Sequence, residues 1–88
     1  MNPYSNRIHS ITLAAGLLGF NETAKYLYAA HEVTHPENIK FYLLEAQERL
    51  EGEIFATHLL AEIRDILREV NFEARKYWLT ACSAKAVA

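Results

Sequence analysis

Apolar residues recur at helical spacing through almost the whole chain, and no stretch alternates as a half-buried strand does. The first repeat joins Ile8, Ile11, Ala15 and Leu18, with Leu13, Ala14 and Leu17 widening it. It predicts a deeply buried helix over Asn6–Leu18, capped by Ser5 and ended by Gly19 in a left-handed conformation. Gly16 is expected to permit close packing there. A second helix is predicted after an Asn21 cap, with Ala24, Leu27 and His31 on one face and Tyr28 beside them. It should stop near Val33, because Pro36 turns His35 away from α geometry. Pro36 is a natural first residue for a third helix capped by Thr34 or His35. Ile39, Tyr42, Leu43, Ala46 and Leu50 form its stripe, and Glu45 with Arg49 forms an i,i+4 pair. Gly52 then marks either a tight turn or a weak point.

The fourth repeat is the longest. Phe55, Leu59, Ile63, Leu67, Val70, Ala74, Tyr77 and Ala81 follow helical spacing, with Leu60, Ile66 and Trp78 broadening the stripe and Asn71 the one candidate break. Unbroken, this helix measures about 45 Å. A globule of this size has a radius of gyration of about 12 Å, so the helix overhangs it. The pattern therefore predicts an all-α bundle of three to four helices in one domain over residues 1–88. It also predicts a homodimer in which a second copy covers the long helix. Phe55, Leu59, Ile63, Leu67, Val70, Phe72, Tyr77 and Trp78 are the expected interface. The abundance of Tyr, Phe and Trp fits an interaction role, since these residues anchor interfaces.

Composition narrows the classes. A chain of 88 residues with 51% hydrophobic and 23% charged residues has room for one small core. A single Cys excludes a disulfide scaffold, and Cys82 reads as a packed thiol on the apolar stripe. The apolar run Ile11–Phe20 is too short to span a bilayer and lacks a clear cleavage site. No membrane partner and a cytoplasmic location are expected. The net charge of −2 disfavours a nucleic-acid binder. The charge is uneven, however. Ten carboxylates face four cations between Glu32 and Glu73, while the last fourteen residues hold Arg75, Lys76 and Lys85 and no acid. Such polarity can support antiparallel self-association or a polar partner, but a solvated helix surface with cations near a helix C-terminus, where the dipole favours them, is the preferred reading.

Chemistry is suggested at one place. His31-Glu32-Val33-Thr34-His35 reads H-E-x-x-H, which on a helix sets two imidazoles one turn apart to hold zinc while the Glu acts as base. Glu53, eighteen residues after His35, stands where a third ligand would. The spacing resembles that of the zinc peptidases whose third ligand is Glu, over these five residues and one acid. The resemblance implies a metal-dependent hydrolase with His31, His35 and Glu53 as ligands and Glu32 as base. Glu32 with His35 also matches the E-x-x-H pair of di-iron bundles, with Glu45 and Glu62 as further ligands. The two helices joined before Pro36 superficially resemble a helix-turn-helix, but Pro36-Glu37-Asn38-Ile39-Lys40-Phe41 offers one cation to DNA phosphate. Against these readings, the pattern favours a non-catalytic, cofactor-free interaction module that acts as a homodimer and binds another protein as a regulator, adaptor or inhibitor.

Overall fold

The computed structural model describes the backbone of residues 2–87 and the side chains of residues 2–76. Among the described residues the chain forms four α-helices and no strand. They are α1 (Ser5–Leu17), α2 (Asn21–Glu32), α3 (Pro36–Leu50) and α4 (Thr57–Val87), and a 3-10 turn over Ile54–Ala56 precedes α4. No helix among these residues is long and apolar enough to cross a membrane.

Glycine and proline set the boundaries. Gly19 takes φ 86°, and the Phe20 and Gly19 N–H groups donate to the Ala15 and Gly16 carbonyls at 2.9 and 3.1 Å. This double bond reverses the chain after α1 and packs Phe20 against the core. Val33 is extended, α2 ends at Glu32, and α3 opens on Pro36. His35 supplies the cap, its Nδ1 accepting from the Glu37 N–H at 3.2 Å. Gly52 resolves as a turn, at φ 89°. Asn71 does not interrupt α4.

Two caps differ from expectation. Asn21 is the first residue of α2 and makes no capping bond. Ser5 is buried within the first turn of α1. Asn2 replaces it, because its Oδ1 accepts from the Tyr4 N–H at 2.9 Å and its carbonyl accepts from the Ser5 N–H at 3.2 Å. The same side chain closes the end of α2. Its Nδ2 donates to the carbonyls of Ala30, His31 and Val33 at 3.0, 3.2 and 2.7 Å. These are carbonyls that a helix terminus leaves without partners. Asn2 is buried, so one amide joins the start of α1 to the end of α2 out of reach of water.

The helices pack in chain order, α1 on α2, α2 on α3 and α3 on α4, while α1 meets α4 only sparingly. One core results. Ile8, Ile11 and Ala15 of α1 meet Leu27 and Ala30 of α2, Ile39, Leu43, Ala46 and Leu50 of α3, and Leu59, Ile63, Ile66, Leu67 and Val70 of α4. Tyr26 ties α2 to α3: the Arg49 guanidinium lies 4.1 Å from its ring centre, and the expected Glu45–Arg49 pair holds that guanidinium at 2.9 Å. The first helix is not deeply buried. Leu13, Leu17 and Leu18 are exposed, Leu17 to 89%, because only α2 covers α1 closely. Gly16 has no neighbour that a Cβ would meet, so it does not mark a close approach.

The α1–α4 seam is fastened by polar contacts. Arg7 pairs with Glu69, and the Tyr4 hydroxyl donates to Glu73 Oε2 at 2.5 Å. Burial, then the hydrogen bond to Glu73, pushes the Tyr4 pKa up to about 12. These contacts run α1 antiparallel to α4, starting at the level of Glu73. The short turn around Gly52 makes α3 antiparallel to α4 as well. The α4 helix therefore dominates the shape. Its 31 residues measure about 46 Å, against extents of 51 × 24 × 16 Å for the molecule, and the radius of gyration is 14.4 Å.

Replacing Asn2 by Ala orphans three carbonyls and one N–H at once. Asn2→Ala is expected to cost about 2 kcal/mol in urea unfolding, and Asn2→Asp more, since a carboxylate would face those carbonyls. Tyr4 favours its neutral form in the fold, so its contribution is complete below pH 10 and is lost as the pH rises from 10 to about 12. Tyr4→Phe should cost about 1 kcal/mol at pH 7 and abolish that alkaline step in a pH series of melting curves.

Candidate functional site

The H-E-x-x-H segment is divided between two helices. His31 lies in the last turn of α2, whereas His35 is extended and caps α3, so the two imidazoles do not share a helical face. Asn2 holds the carbonyls between them in this broken form. Glu53 follows the far end of α3, a helix of 15 residues and so about 22 Å long. His31 instead packs its ring between those of His9 (5.7 Å) and Tyr28 (6.1 Å), and its Nδ1 lies 3.3 Å from Glu32 Oε1. A hydrogen bond to Glu32 also raises the Tyr28 pKa. Glu45 is engaged with Arg49, and Glu62 lines the α1–α4 seam with Arg7 and His58. Among the described residues no three His, Cys, Asp or Glu side chains gather as a metal would require.

The residues expected at an interface divide into three groups. Leu59, Ile63, Leu67 and Val70 are buried in the chain's own core, where α3 and α1 already cover them. A second copy meeting this fold cannot reach them. Phe55 and Phe72 are 80% and 73% exposed. Phe55 leaves the stripe because the 3-10 turn shifts the register before α4 begins at Thr57. Tyr77 and Trp78, like Cys82, lie outside the residues whose side chains are described.

Phe72 lines a groove of about 530 Å³ between the first half of α3 and the middle of α4. Glu37 and Lys40 form its α3 wall. Arg68, Asn71, Phe72, Ala74 and Arg75 form its α4 wall. Arg68, Phe72 and Arg75 share one helical face at spacings of four and three. That spacing is legible in the sequence, but Lys40 joins them only through the packing of α3 on α4. The groove carries three cations and one carboxylate, beside an exposed aromatic ring.

The opposite end of the α3–α4 hairpin has the reverse character. Glu51 and Glu53 are exposed on either side of Gly52, and Ile54 and Phe55 stand out beside them. Together they form an acidic, apolar knob. The outward side of α3 between knob and groove adds exposed Phe41 and Leu44. Its first turn offers Glu37 rather than cations, which does not suit a DNA-reading helix.

Zinc should leave this fold indifferent: adding one equivalent is expected to leave the melting temperature unchanged. His35→Ala should cost about 1 kcal/mol by removing a helix cap. A zinc-dependent rise in melting temperature that His31→Ala abolishes would restore the metal reading. Known proteins add no constraint of their own, as no protein-family model, curated protein or solved structure matches the chain.

Proposed function

We propose that the protein is a small non-catalytic helical interaction module that works as a homodimer and acts on another protein as a regulator, adaptor or inhibitor. The observation that carries this reading is the mismatch of helix lengths. At 13, 12 and 15 residues, α1, α2 and α3 measure about 20, 18 and 22 Å. Both α1 and α3 begin at the level of residues 73–75 of α4 and run back toward its start, as the Tyr4–Glu73 bond and the groove shared by Glu37 and Arg75 require. Past that level α4 continues for about three turns. The sequence there includes Tyr77, Trp78, Leu79 and Val87. A helix of that composition is expected to find a partner surface, and two-fold pairing is the commonest way for one chain to supply it.

Exposed Phe41, Leu44, Ile54, Phe55 and Phe72 support the same reading, since α3, the turn before α4 and α4 itself all leave large apolar side chains outside the core. The cytoplasm is the compartment that suits a chain with one thiol.

The molar mass in solution tests the proposal. Sedimentation equilibrium should give twice the chain mass of 10.1 kDa at micromolar concentration. A particle of single-chain mass at high concentration overturns the dimer. Val70→Glu is unsuitable as a probe because Val70 is buried within the chain. Tyr77→Glu should lower the mass while leaving the helical circular dichroism intact.

A further inference from the structure

We infer that the groove between α3 and α4 is occupied by the α3–α4 knob of a second copy, so that two chains dock reciprocally and antiparallel. The inference rests on the homodimer reading and specifies its geometry. Charge complementarity carries it. The groove sets Lys40, Arg68 and Arg75 against Glu37, a charge of +2 over its lining residues, with Arg68 also 3.5 Å from Asp65. The other six cations and ten carboxylates leave the rest of the chain at −4. The knob concentrates that acidity, with Glu51 and Glu53 exposed next to Ile54 and Phe55, which are 83% and 80% exposed. Carboxylates on the knob meet cations in the groove, and its two apolar side chains meet the ring of Phe72.

Register favours this arrangement. Knob and groove occupy opposite ends of one hairpin, about 22 Å apart along α4, so a two-fold operation satisfies both contacts at once. Placing the knob at the level of Phe72 sets the axis near Arg64 of both copies. One pairing thereby covers the groove and the knob together.

Charge reversal tests the pairing. Arg68→Glu with Arg75→Glu makes the groove acidic, and Glu51→Lys with Glu53→Lys makes the knob basic. All four positions are exposed, so both variants should melt as the wild type does. Each variant alone should dissociate, with a Kd raised at least about tenfold. An equimolar mixture should recover the dimer mass, because both contacts are complementary again in the mixed pair. A wild-type chain that sediments as a monomer fails the homodimer reading itself. A dimeric wild type whose variants also stay dimeric keeps that reading and overturns the pairing, leaving the groove to an acidic segment of another protein. Variants that dissociate without rescue in the mixture also overturn it.

Discussion

The constraint from which most of the structure follows is that one helix is about twice as long as any of its neighbours. Helices of 12 to 15 residues can cover one half of α4 but not both. The chain lays α3, and along a thin seam α1, on the same half, the part from Leu59 to Ala74, with α2 closing the core from behind them. That choice gives up uniform coverage for a well-packed centre. Seventeen apolar side chains are buried, and no buried side-chain polar atom lacks a partner among the described residues. Had α4 broken at Asn71, its second half could have folded back into the α1–α4 seam. Asn71 instead remains helical and contributes to the wall of a groove.

The helices and most of their inner faces were legible because period and punctuation agreed. Gly19, Pro36 and Gly52 separate segments whose apolar residues already keep helical spacing, and the buried residues of α3 are the ones its stripe names. What the pattern could not weigh was how many neighbours each helix would have. Leu13, Leu17 and Leu18 have the same hydrophobicity as Ile8 and Ile11, yet they face water, since α4 touches α1 along a thin seam. The caps were misplaced for a related reason. Asn2 caps α1 and closes α2 through bonds spanning 28 to 31 residues, and no local rule connects a second residue to the carbonyl of the thirtieth.

The candidate site was half legible. H-E-x-x-H encodes chemistry only if one helix carries both imidazoles, and Pro36 was the residue that argued against it. The structure places the break between the two histidines and moves Glu53 to the other end of α3. Of the residues expected at an interface whose side chains are described, Phe55 and Phe72 are the two the fold leaves outside. Phe72 falls off the apolar stripe of α4, whereas Phe55 continues it in the sequence and leaves it only through the 3-10 turn. The cations around Phe72 needed tertiary packing to become a site, since Lys40 precedes Arg68 by nearly two helices.

Charge separation of this kind is useful only while the two ends of a molecule cannot neutralise each other. Here they lie about 22 Å apart along α4, against a Debye length of about 8 Å at physiological salt. Each end therefore presents its own sign to an incoming surface, although the chain as a whole is nearly neutral at −2. The hairpin that separates them is stiff, because its two helices are joined through buried Ile39, Leu43, Leu50, Ile63 and Val70. No motion short of unfolding brings the knob into its own groove. A surface that is complementary to itself, yet barred from closing within one chain, is what the proposed pairing uses. The proposed orientation is antiparallel because the parallel alternative places knob against knob and groove against groove.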